Sequence, residues 1–191
     1  TVMQNFISHL KKYIALTAND IEVLSSFVKF KKIDKKEFLL REGQVCTSNY
    51  FVETGLLRMY FINEKGIEQV THFALENWWL ADYMSFIMQN PSHFFIQAVE
   101  NSEIVFLEHH KQEELFKQLP QLERYFRIVM QRANAASQMR VKFFHDYSKE
   151  ENYRVFSTQF PSFVQRIPQY MLASYLGITP EYLSELRKKH D

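Results

Sequence analysis

Apolar positions change period twice along the chain. Over residues 3–30, Phe6, Leu10, Tyr13, Ile14 and Leu16 recur at helical spacing, and Thr17 is placed to cap a second short helix through Leu24 and Phe27. From Phe30 the period shortens. "FKKIDKKEFLLREG" alternates or runs in short apolar bursts and stops at Gly43. "NYFVETGLLRMYFINEKGIEQVTHFAL" holds three β-like runs, separated by turns at Glu53-Thr54-Gly55 and at Asn63-Glu64-Lys65-Gly66. The stretch after Asn77 has a mixed middle, a turn at Asn90-Pro91-Ser92 and two further strand-like runs ending at His109-His110, which are read as opposite faces of a strand. Several short strands with regular turns predict a β-sandwich or jelly-roll-like β-roll.

After His110 the period is helical to the end. A short helix over about 111–118 halts before Pro120. Leu122, Phe126, Val129, Ala133, Ala136, Arg140, Phe143 and Tyr147 then follow at alternating spacings of four and three. That is a heptad-type stripe, and a helix with so narrow a stripe needs a partner. A helix packed on its own domain satisfies the same pattern. Ala133 and Ala136 permit close approach, so the expectation is a homodimer seam on Leu122, Phe126, Val129, Ala133, Ala136, Arg140 and Phe143. "SKEE" places Ser148 as an N-cap with Glu151 three positions on, the capping-box spacing. The next helix is predicted over about 149–159, making 146–148 a hinge.

"LASYLGITPEYLSELRKK" breaks a helix at Gly177 and restarts it at Thr179-Pro180. A helix-turn-helix needs a small residue four positions before its turn, and Ala173 is there. Leu172, Leu176, Ile178, Leu183 and Leu186 supply apolar contacts around it. Gly177 suits a positive φ, Thr179 caps the second helix, and Pro180 at its first position loses no needed N–H. Thr179, Pro180, Glu181, Ser184, Glu185 and Lys188 then face outward. Arg187, Lys188 and Lys189 are candidate phosphate contacts. A plain helical hairpin is the competing reading.

Composition narrows the picture a little. Of 191 residues 46% are hydrophobic, with 18 Phe and 10 Tyr, so a sizeable core forms, and the net charge of +1 names no partner. The halves differ: residues 1–109 carry 10 basic and 13 acidic side chains, residues 110–191 carry 13 and 9. That bias is compatible with nucleic acid at the C-terminal end. Cys46 is the only cysteine, so this sequence forms no internal disulfide and cannot by itself supply the several thiolates of an iron–sulfur cluster. With no membrane-length apolar run and no signal pattern, the cytoplasm is the expected compartment and no membrane partner is expected. No nucleophile motif, P-loop or dinucleotide glycine pattern is present. His72, His93, His109 and His110 lack the spacing of a cupin-type metal site. No catalytic residue, metal or cofactor is assigned.

The order of these parts resembles the Crp/Fnr superfamily of bacterial transcription regulators. The resemblance rests on "FLLREGQ" (38–44), "YFVETGLLRMYF" (50–61) with "EKG" (64–66), and the segment from Leu172 to Lys189. It implies an α+β fold in three parts: N-terminal helices and an effector-sensing β-roll over 1–118, a long dimerisation helix over 119–147, and a helix-turn-helix domain over 148–191. It also implies double-stranded DNA, a second copy and RNA polymerase as partners, with a small-molecule effector in the roll. The segment 160–168 is too short for a long hairpin wing and the sequence stops soon after the second helix, so a reduced wing or a shortened domain is expected.

Three departures qualify the resemblance. In cyclic-AMP-binding members a phosphate cassette reads Gly-Glu and, some ten residues on, Arg-Ser-Ala. The matching places are read as Ala81-Asp82 and Ile96-Gln97-Ala98, so the Arg that would pair with the phosphate is missing. Ser137 and Gln138 of the long helix map onto the purine-contacting places, Arg132 could reach in beside them, and Trp79 either lines the pocket or is buried as core; the pocket is read as altered and not built for cyclic AMP. In the second helix, Pro180 and Glu185 stand where relatives often carry Arg, so base preference is not inherited. Two other functions were weighed: a sensing roll whose helical tail binds protein, and, more distantly, a metal-dependent roll enzyme.

Overall fold

A computed structural model describes residues 2–190. It divides into two compact units, one of residues 1–61 and 72–130, the other of residues 62–71 and 131–191.

The first unit is the expected roll. Helices α1 (Gln4–Lys11) and α2 (Ala18–Phe27) precede β1 (Val28–Ile33), β2 (Phe38–Leu40), β3 (Ser48–Thr54), β4 (Leu57–Ile62), β5 (Glu68–Ala74) and β6 (Trp79–Leu80). Helix α3 (Tyr83–Met88), β7 (Phe95–Ala98), β8 (Ser102–Glu108) and α4 (His109–Gln118) follow. The strands form two four-stranded sheets, ordered β1-β8-β3-β6 and β2-β7-β4-β5. Alternation explains why β3 and β8 are apolar on both faces. Tyr50, Val52 and Ile104 point into the roll beside Leu57, Met59 and Ile96. Phe51, Val105 and Leu107 point outward, under Phe6, Leu10, Leu24 and Leu115 of the covering helices. Burying each such side chain stabilises the fold by about 1.5–3 kcal/mol.

Thr17 does cap α2, in a full capping box with Asp20. The cap of α1 is less obvious: Met3 is left-handed and offers no side-chain bond. Instead the buried Glu53 carboxylate of β3 accepts from Asn5 N at 2.6 Å and Phe6 N at 2.8 Å, pinning the helix start to the sheet. The reading of His109-His110 as strand residues needs correction. The strand ends at Glu108 and both histidines open α4.

The long helix is α5 (Gln121–Asp146), followed by α6 (Lys149–Gln159), α7 (Pro161–Arg166), α8 (Gln169–Leu176) and α9 (Pro180–His190). Ser148 and Glu151 form the expected capping box at the start of α6. The stretch after Phe160, given no element in the sequence reading, is α7, with Pro161 at its first position and Phe163 and Val164 buried.

Candidate functional site

The α8–α9 pair is built as its residues dictate. Gly177 ends α8 at φ 66°, and Ile178 N donates to Ala173 O at 3.0 Å while Gly177 N donates to Ser174 O at 3.1 Å. This double closure is how a left-handed cap satisfies a helix's last carbonyls. The Thr179 hydroxyl accepts from Tyr182 N at 3.2 Å, capping α9 ahead of Pro180. Leu172, Ala173, Leu183 and Leu186 are all fully buried where the helices meet. The opposite side of α9 is open: Thr179, Pro180, Glu181, Glu185, Lys188 and Lys189 are exposed, and Ser184 and Arg187 are half-buried. Lys189 lies 3.7 Å from Glu150 in an ion pair exposed on both sides. Such a pair is weak and leaves the ammonium available to a phosphate.

The expected seam on α5 is mostly used within the chain. Leu122 is buried against the roll helices, with Phe126 and Val129 packed beside it. The Phe126 ring meets Trp79 at 5.1 Å and Phe116 at 5.4 Å. Further along, the Arg140 guanidinium donates to Thr71 O and lies 3.9 Å over the Tyr175 ring, while Phe143 stacks on Tyr147. Of the predicted set only Ala133 and Ala136 remain exposed. Leu122, Phe126 and Val129 thus find partners in the roll unit, while Phe143 finds its own on Tyr147. Residues 131–139 are exposed on every side, and Met139 is 47% exposed.

The profile of the cyclic nucleotide-binding domain matches residues 30–119. The anaerobic regulatory protein of Haemophilus influenzae is 27% identical over 199 residues, spanning 94% of this chain and 74% of its own. The transcriptional activator protein anr of Pseudomonas aeruginosa is 27% identical over 185 residues, spanning 91% and 75%. FixK2 from Bradyrhizobium japonicum shares the fold with a TM-score of 0.72 at 15% identity, over 85% of this chain and 83% of that one. Over nearly its whole length the chain is similar to transcription regulators of the Crp/Fnr type, and its roll to the cyclic nucleotide-binding domain.

Against the Crp/Fnr cassette pattern, the roll's own residues fill the place of an anion. Asp82 caps α3, accepting from Ser85 N at 3.3 Å, and takes the Ser92 hydroxyl at 2.6 Å. Asp82 and Ser92 are both buried, and among the described residues no cationic side chain pairs with the carboxylate. The residue that meets Asp82 is therefore Ser92, ten positions on, and not Ile96. Ile96 and Ala98 are strand residues inside the roll core with Ala81. Gln97 faces away from that core and accepts from the buried Arg58 side chain at 2.6 Å. Trp79 also leaves the expected pocket: it packs in the helix-side core and donates its indole N–H to Tyr125 Oη at 2.8 Å. Arg132, Ser137 and Gln138 are exposed on α5 in the second unit. Within the roll, Ala81, Ile96 and Ala98 share one core, whereas Asp82, Gln97 and Trp79 each turn to a different partner.

Around Asp82 the roll interior is polar and satisfied. Ser85 Oγ accepts from Cys46 N at 2.9 Å and donates to Asn90 O at 2.5 Å. The Cys46 thiol, raised in pKa by burial, sits 3.4 Å from Ser48 O. Burial pushes Tyr83 up to about 12, keeping its hydroxyl protonated as the donor to Asn49 Oδ1. Ser92 escaped sequence reasoning because a lone serine in a loop carries no motif; its spacing from Asp82 was the available signal. Among the described residues no group of three His, Cys, Asp or Glu is arranged to hold a metal ion, and no helix is long and apolar enough to cross a membrane.

Proposed function

We propose that this chain is a dimeric DNA-binding transcription regulator acting in the cytoplasm. Helix α9 enters the major groove, and RNA polymerase is the protein partner the family implies. The observation that carries the reading is the α8–α9 pair: a capped, left-handed turn with a dry contact on one side and an open polar face on the other. Arg187, Lys188 and Lys189 hold phosphates, and Glu181 and Ser184 reach base edges. The seam is carried by the side of α5 bearing Ile128, Arg132, Ala135, Met139 and Lys142, at spacings of four and three. That side keeps Ala135 and Met139 exposed after the chain has used Leu122, Phe126, Val129, Arg140 and Phe143 for itself.

Cyclic AMP is not the effector of this roll. A cyclic phosphate entering at Asp82 would meet a buried carboxylate and no cation. A hydrogen bond to a charged group contributes about 1.5–3 kcal/mol, so losing that partner costs roughly one to two decades of affinity.

The test uses duplexes selected from a random pool by the wild-type protein. Lys188→Ala should weaken every duplex by a similar factor and lower the salt slope by about one. Glu181→Ala should change preference at a single base pair. If both variants retain wild-type affinity and preference, α9 is not the reader.

A further inference from the structure

Arg140 occupies a heptad position and is engaged within its own chain. Its guanidinium donates to Thr71 O in the middle of β5 and to Tyr175 O in α8 at 3.4 Å, and its Cζ sits 3.9 Å above the Tyr175 ring. Among the described residues no carboxylate pairs with it, and burial depresses its pKa. A largely desolvated cation held only by two carbonyls and a ring is costly unless all three partners stay in register. Beside it, the Ser174 hydroxyl donates to Glu68 O at 2.9 Å and accepts from Val70 N at 2.9 Å, satisfying strand backbone with a helix side chain. Tyr175 is braced on its other side by Phe156 of α6, with ring centroids 5.5 Å apart. Every one of these groups lies in the second unit.

We propose that Arg140 is a positioning residue: with Ser174 and Tyr175 it clasps α8 to the long helix and so sets the distance between the two DNA half-sites that a dimer reads. This rests on the DNA-binding reading above. A dimer engages two half-sites at a fixed separation, and its second contact is strengthened by the effective concentration that a rigid link provides. A loosened clasp leaves each reading helix intact but lets its position wander.

The experiment measures fluorescence anisotropy on three kinds of duplex: one half of the wild-type-selected operator, the whole operator, and operators with the central spacer lengthened or shortened by single base pairs. Wild type should show one preferred spacing. Arg140→Ala and, independently, Ser174→Ala should keep half-site affinity within about twofold. They should lose on the order of tenfold or more on the whole operator and flatten the spacing profile. Arg140→Lys, which keeps the charge but not the two-pronged planar contact, should fall between. A wild-type spacing profile in both alanine variants overturns the clasp alone. So does a half-site loss as large as the whole-operator loss, since that marks general damage to the reader. Failure of the wild type to bind any selected duplex removes the DNA reading, and the clasp with it.

Discussion

Tyr125 is fully buried, and its hydroxyl joins three parts of the roll unit. It accepts from Trp79 Nε1 at 2.8 Å and lies 2.9 Å from His9 Nδ1, within hydrogen-bond reach. Tyr125→Phe should therefore strand the indole N–H without water and lower stability by about 1–3 kcal/mol, read as a drop in the thermal unfolding midpoint. An unchanged midpoint would mean the hydroxyl is not the indole's partner. At the same scale, isothermal titration with cyclic AMP should give no saturable heat. Micromolar binding to the roll would overturn the account of Asp82 and Ser92. These residue roles were poorly legible in the sequence. Trp79 was expected to line a pocket because a lone tryptophan reads the same in a core and in a site, and only the partner of its N–H decides between them.

At the scale of elements the sequence was far more readable, because caps and turns are local. The Thr17 and Ser148 boxes, the Gly177 break and the Thr179 cap are all where residue type demanded them. Helix α7 was missed because its six residues are too few for a period to show. The roll strands were legible in number but not in partner, since sheet order depends on contacts between distant segments. Two glycines separate local from tertiary constraint. At Gly177, φ is 66° and an added Cβ would meet only Lys149 Nζ at 3.4 Å, so Gly177→Ala should cost about 1 kcal/mol from the backbone alone. At Gly55, φ is 101° and a Cβ would fall 2.6 Å from Ser102 Cβ and 2.8 Å from Ser102 Cα. Gly55→Ala should cost more than Gly177→Ala in denaturant unfolding, because β8 must shift to admit it. Equal costs would contradict the close approach of the β3–β4 turn to β8.

For the whole molecule, the sequence showed that the long helix carries an apolar stripe but not what covers it. An a/d pattern packs equally well on a partner or on the chain's own aromatic core, and Leu122, Phe126 and Val129 took the second course. The exposed middle of α5 is the surface that the proposed dimer uses. Met139→Glu should convert a micromolar dimer to a monomer in light scattering, whereas a wild type already monomeric there would remove the seam. A dimer matters because it doubles the phosphate contacts and fixes two reading helices on one duplex. The measurement that tests this most directly is the affinity of the wild-type protein for its selected operator as a function of salt. Each phosphate contact contributes about 0.9 to the slope of log K against log salt, so three cations from each of two subunits should give a slope of about −5. A flat line, with affinity unmoved as salt rises, would contradict DNA recognition by α9 and leave the helical tail as a protein-binding element.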